Sequence, residues 1–123
     1  MWEVTKSFYF DAAHTLSGTT LGAVAEEVHG HSFRAEVAVE GTPDPVTGMV
    51  LDLGKLDEAV SALRKRLDHK LLNKVEGLGK PTLENLARFI YERVAGRLAA
   101  SVSIESVKIA EDMTLSSTYR GEA

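Results

Sequence analysis

Two stretches of strict period-two alternation lie within the first forty residues, and they constrain the fold more than any other feature of the chain. In the first, Trp2, Val4, Phe8, Phe10 and Ala12 fall on one face, and Glu3, Thr5, Ser7 and Asp11 on the other. In the second, from His31 to Glu40, Phe33, Ala35, Val37 and Val39 alternate with Ser32, Arg34, Glu36 and Glu40. Successive side chains of a strand point to opposite faces, so this pattern predicts two long strands, each with one buried face. They are expected to pair antiparallel. Residues 15–28 carry Gly18 and Gly22 without a clear period and predict a loop.

A sheet with one apolar face needs a covering layer. The chain offers two helices for it. Asp52 is a plausible N-cap, and Leu56, Val60, Leu63 and Leu67 form one helical stripe that ends near Asp68. Lys55, Glu58, Arg64 and Lys65 occupy the opposite face. Thr82 can cap a second helix, with Glu84 in its first turn and Leu83, Leu86, Ile90, Val94 and Leu98 as its stripe. Between the second strand and the first helix, Pro43 to Gly48 is turn chemistry and Met49-Val50-Leu51 a short extended piece. Residues 70–81 predict a loop. Val102, Ile104, Val107 and Ile109 predict a third strand with an irregularity near Ser106, and Leu115 to Arg120 a fourth. The expected order is β-β-α-α-β-β, an α+β layer with two helices on one face of an antiparallel sheet. The 123 residues, numbered 1–123, fit one domain.

Composition removes several function classes. The chain has no cysteine, which excludes a disulfide scaffold, a thiol nucleophile and a thiolate metal site. A net charge of −4 gives no electrostatic footprint for nucleic acid. No apolar run approaches the roughly 20 residues that span a bilayer. The N-terminus does not read as a signal peptide, so the expected location is the cytoplasm.

Three of the four histidines, His14, His29 and His31, lie where the first strand ends and the second begins. Residues i and i+2 of a strand share a face, so His29 and His31 can converge on one ion. His14 shares the parity of Phe10 and Ala12. Three imidazoles and one open position describe a catalytic zinc site. The plainer alternative is three satisfied polar residues at strand ends. Asp68-His69 reads either as a helix C-terminus favoured by the macrodipole or as a proton-transfer pair. Glu111 and Asp112 end an apolar strand, either as acceptors for a ligand edge with parallel N–H donors or as a solvated acidic turn. Glu26-Glu27 reads as loop charge or as part of a site.

Five blocks occur in order: Phe10-Asp11-Ala12-Ala13-His14, His29-Gly30-His31-Ser32-Phe33, Leu67-Asp68-His69-Lys70, Pro81-Thr82-Leu83-Glu84-Asn85, and Glu111 with Tyr119-Arg120-Gly121-Glu122. Together they resemble the 6-pyruvoyltetrahydropterin synthase family, which includes 6-carboxytetrahydropterin synthase of the queuosine pathway. The resemblance implies a T-fold subunit. Three such subunits close their sheets into a barrel, two trimers stack as a homohexamer, and the active site lies between subunits. It implies zinc on His14, His29 and His31, a catalytic pair in Asp68 and His69, a pterin anchor in Glu111 and a pocket residue in Thr82. The implied substrate is 7,8-dihydroneopterin triphosphate or a related dihydropterin.

The family's synthases carry a cysteine four residues before the first histidine of the H-G-H block. Here that position is Ala25, followed by Glu26. Three readings follow. One is a 6-pyruvoyl- or 6-carboxy-type synthase. A second is retro-aldol cleavage of the side chain to 6-hydroxymethyldihydropterin with Glu26 as base, as in a subgroup of the family. The third is a non-catalytic homologue that binds zinc and pterin.

Overall fold

The computed structural model describes residues 1–122. The chain runs β1 (Trp2–His14), α1 (Ala23–Glu26), β2 (His29–Gly41), α2 (Leu53–Leu67), a 3₁₀ turn (Leu72–Lys74), α3 (Leu83–Ala95), β3 (Ser103–Glu111) and β4 (Leu115–Tyr119). The strands form one antiparallel sheet in the order β1-β2-β3-β4. Its helix-covered face carries Phe8, Phe10, Phe33, Ala35, Val37, Val39, Val107 and Ile109, all buried. Phe10 pairs across the strands with Phe33 and stacks on it at 5.0 Å. Leu56, Val60, Leu63 and Leu67 of α2 and Leu86, Ile90 and Val94 of α3 complete the core.

The helix starts follow their caps. The Asp52 carboxylate accepts from the Gly54 and Lys55 amides, and the Thr82 hydroxyl oxygen accepts from the Asn85 amide. Helix α3 ends at Ala95, so Leu98 packs on the core from beyond it. The irregularity in β3 is a bulge: Ala38 faces Ser106 while Val39 faces Ile104, leaving Glu105 as the extra residue.

Three expected irregular segments differ in detail. The loop of residues 15–28 holds the single-turn helix α1, which buries only Ala25. The loop of residues 70–81 holds the 3₁₀ turn, which buries Leu72 completely. Met49 to Leu51 forms no strand. Its Val50 side chain packs beside Gly41, where an added Cβ would stand 2.8 Å from Val50 Cγ1, so glycine is required for that approach.

The outer edge of β1 is closed along its C-terminal half by residues distant in sequence. Arg64 Nε donates to the Tyr9 carbonyl at 2.8 Å. The Asp11 amide donates to Asp68 Oδ1 at 2.9 Å, and the Asp11 carbonyl accepts from the His69 amide at 2.6 Å. The Ala13 amide donates to the Lys70 carbonyl at 3.0 Å. Asn73 then replaces a strand with its side chain: its carbonyl accepts from the Thr15 amide at 2.9 Å and its NH₂ donates to the Thr15 carbonyl at 3.2 Å.

Candidate metal and pterin site

The period-two register brings the three strand-end histidines together. His14 faces His29 across the hairpin, and Ala12 faces His31, so all three rings share the helix-covered face. Ring centroids lie 4.6 to 5.2 Å apart. One ligand atom from each falls within 4.8 Å of the others.

The rings are held from behind. His14 Nδ1 is 3.0 Å from the Pro81 carbonyl, His29 Nδ1 is 2.8 Å from the Glu27 carbonyl, and His31 Nδ1 is 2.8 Å from Asp112 Oδ2. Each Nδ1 therefore carries its proton toward an acceptor, which leaves Nε2 of His14 and His29 as lone-pair donors, while Nε2 of His31 faces the Glu111 carboxylate. His14 is 1% exposed, and its Nε2 is the buried side-chain nitrogen or oxygen without a hydrogen-bond partner among the described residues. A buried imidazole lone pair without a donor is costly unless something binds there. Burial, with the neighbouring His29 and His31, holds the His14 pKa below the usual histidine value and keeps the ring neutral. Three converging, pre-oriented imidazoles without thiolate fit zinc with one position left for a ligand.

Glu111 follows Ile109 on the same face. Its Oε1 stands 3.1 Å from His31 Nε2 and 3.7 Å from His14 Nε2. Asp112 reaches the same His31 ring from the other nitrogen. The two acidic residues therefore bracket one histidine rather than projecting together into solvent.

The proton-transfer candidates come from the end of α2. Asp68 caps the end of α2, where Arg64 Nη2 stands 3.0 Å and His69 Nδ1 3.1 Å from its Oδ2. The Asp11 amide, and then Arg64 and His69, hold the Asp68 carboxyl below the usual range. His69 has a φ of 58° and a side chain 78% exposed. The pair clusters with Asp11, whose side chain lies on the sheet face away from the helices. That side opens into a shallow 690 Å³ depression that His69 shares with His31 of the triad, with Asp11, Ser32, Lys70 and Asp112 also in its lining.

Ala25 is buried, and its methyl group has no proton to transfer. The exposed Glu26 lines a separate 340 Å³ cleft with Thr15, Asn73, Lys80, Pro81 and Thr82. The structure thus brings Glu26 and Thr82 together, beside the Pro81 carbonyl that orients His14. Asn73 and the carbonyls of Glu27 and Pro81 were not visible in the sequence as site residues. A backbone carbonyl leaves no sequence signal, and a single loop asparagine is a weak one.

A four-stranded antiparallel sheet with helices on one face and a histidine triad at the β1–β2 hairpin mouth defines a T-fold subunit with a strand-borne imidazole site. The solved structure of Caenorhabditis elegans 6-pyruvoyl tetrahydropterin synthase shares that fold, with a TM-score of 0.83 and 26% identity over 98% of this chain and 96% of its own. The family model described as 6-pyruvoyl tetrahydropterin synthase matches residues 3–122, and the chain belongs to that family. A dihydroneopterin monophosphate aldolase of Pyrococcus furiosus is 39% identical over 83% of this chain and 82% of its own. A 6-carboxy-5,6,7,8-tetrahydropterin synthase of Synechocystis is 36% identical over 97% of this chain and 93% of its own.

Proposed function

We propose that this protein is a zinc-dependent lyase that cleaves the side chain of a phosphorylated dihydroneopterin, releasing 6-hydroxymethyldihydropterin. One observation carries the choice of reaction: the family's thiol position is the buried methyl of Ala25, while the next residue, Glu26, places a carboxylate in the cleft with Thr82. The similarity to the Pyrococcus furiosus aldolase supports the same choice.

His14, His29 and His31 would hold the zinc, which supplies Lewis acidity toward the side-chain hydroxyls. Glu111 is the anchor for the pterin's amino and ring N–H donors. Thr82 keeps a hydroxyl proton to donate, because its oxygen already accepts from the Asn85 amide. In the cleavage, Glu26 takes the proton from the hydroxyl on the second side-chain carbon. The bond between the first and second carbons breaks and leaves an aldehyde on the departing fragment. His69, oriented by Asp68, returns a proton to the first carbon, so protons balance and no redox partner is required. His69 shares its depression with His31 alone of the three histidines, and Asp68 stands behind it at the end of α2. The family resemblance implies a site between subunits, in which a second copy of the chain would supply that pair and make assembly part of the mechanism.

A synthase reading is favoured by the Synechocystis relative, which matches this chain over nearly its whole length. Incubation with the mono- and triphosphates of 7,8-dihydroneopterin, with products identified by mass, separates the readings. The expected product is 6-hydroxymethyldihydropterin. Glu26→Ala is expected to slow its formation by about 10²–10⁴, the usual worth of a positioned proton carrier. Ala25→Cys is expected to raise synthase product. Brisk synthase turnover, undiminished in Glu26→Ala, would overturn the cleavage reading. No turnover of either compound, with zinc and pterin still bound, would identify a non-catalytic binding protein.

A further inference from the structure

We propose that Asp112 is a positioning residue of the metal site, the one anionic partner among the three that fix its histidines. This rests on reading the histidine triad as a zinc site.

The three rings are alike in direction but not in support. His14 and His29 donate to neutral backbone carbonyls, those of Pro81 and Glu27. His31 donates to a carboxylate at 2.8 Å. A charged acceptor makes the stronger hydrogen bond and draws the Nδ1 proton toward itself, which strengthens Nε2 as a donor. With a metal in place of the Glu111 contact on its Nε2, His31 would therefore be the strongest of the three nitrogen donors. Its anionic partner also offsets part of a dication's charge from behind the ring.

Asp112 is fixed before any ion arrives. Its amide donates to the Ser32 carbonyl at 2.9 Å, and its Oδ1 accepts from the Ser32 amide at 3.3 Å. Both groups belong to the residue next to His31, so carboxylate and ring are referenced to the same point of β2. The backbone here is left-handed, with φ at 52°, and of the described non-glycine residues His69 alone shares a positive φ. That conformation lets Glu111 and Asp112, adjacent in sequence, reach opposite nitrogens of one ring.

The same facts suit a plainer role. Residues 112–114 connect β3 to β4, and aspartate is tolerated in left-handed turn positions. The two roles predict different behaviour on substitution. Glycine fits a left-handed turn at least as well as aspartate and removes the carboxylate. Asparagine fits the turn and keeps a neutral acceptor for His31.

Zinc affinity by chelator competition, the visible spectrum of the Co²⁺-substituted protein and thermal midpoints are measured on the full chain for wild type, Asp112→Asn and Asp112→Gly. The expected result is midpoints close to wild type. Zinc binding should be weakened about 10-fold in the asparagine variant and about 100-fold in the glycine variant, within the range for partners of metal-binding histidines. The Co²⁺ spectrum should shift in the same order. Wild-type zinc affinity and an unshifted spectrum in Asp112→Gly would overturn the proposal and leave Asp112 as a turn residue. Affinity that falls only in step with the thermal midpoint would overturn it as well. His29→Ala serves as the control for the metal site itself. Equal zinc content in wild type and His29→Ala removes the triad reading and this proposal with it, an outcome distinct from a zinc-binding wild type matched by Asp112→Gly.

Discussion

Glu111 stands beside Nε2 of both His14 and His31, yet its proposed role is to hold the pterin. Glu111→Gln keeps one acceptor but turns an NH₂ donor toward the ligand's own donors. Pterin affinity measured by calorimetry is expected to fall by roughly 1.5–3 kcal/mol, the scale of a hydrogen bond to a charged group, with zinc content unchanged. Unaltered affinity would place the pterin elsewhere. Asp68 has a different signature. Its carboxyl is held below the ordinary aspartate value, first by the Asp11 amide. A depressed pKa in the folded state contributes stability above the unfolded value of about 3.9, and that stability is lost as pH falls through the lowered value. Asp68→Asn is therefore expected to lower the urea midpoint at pH 7 and to approach wild type below about pH 4. A gap that persists in acid would mean the charge on Asp68 contributes nothing. The histidine triad was legible in the sequence because i, i+2 spacing on a strand fixes a shared face. The partners behind the rings were not, since two of the three are backbone carbonyls that any residue could supply.

Thr82 links a helix to the candidate site. Its oxygen caps α3, and the residue also lines the cleft with Glu26. Thr82→Ala is expected to cost about 1 kcal/mol of stability in denaturant titrations, and Thr82→Ser to restore most of it. Full stability in the alanine variant would show that α3 starts without this cap. The long elements were legible for physical reasons. Alternation in β1 and β2 reports burial on one face, and the three-residue step from Ile104 to Val107 reports the bulge at Glu105. Short elements escape such reasoning. Helix α1 has four residues, a glycine N-cap with φ at 63° and no side-chain cap, so tertiary packing under Ala25 decides it. The 3₁₀ turn likewise exists because Leu72 has a place in the core.

At the scale of the molecule, the sheet ends in two edges. Among the described residues, β4 has no strand beyond it. β1 is bonded on its outer side from Tyr9 to Thr15, and no such partner serves its first residues among the described ones. Open edges are normally covered or paired. Leu21, Val24 and Val28 around α1 also expose large apolar side chains. The expected outcome is a homohexamer in solution, measured by light scattering. A monomer at micromolar concentration would contradict it and would remove the proposed site between subunits. The bonded half of the β1 edge has a further consequence. The amides of Asp11, Ala13 and Thr15 are held by Asp68, Lys70 and Asn73, whereas the even-numbered amides between them face β2. Deuterium uptake along this one strand should therefore alternate. The odd amides would record how often the segment from Asp68 to Asn73 lifts away, and the even ones how often the sheet itself opens. His14 sits between Ala13 and Thr15 with its own amide toward β2, so its exchange would follow the sheet that carries the triad and not the segment outside it.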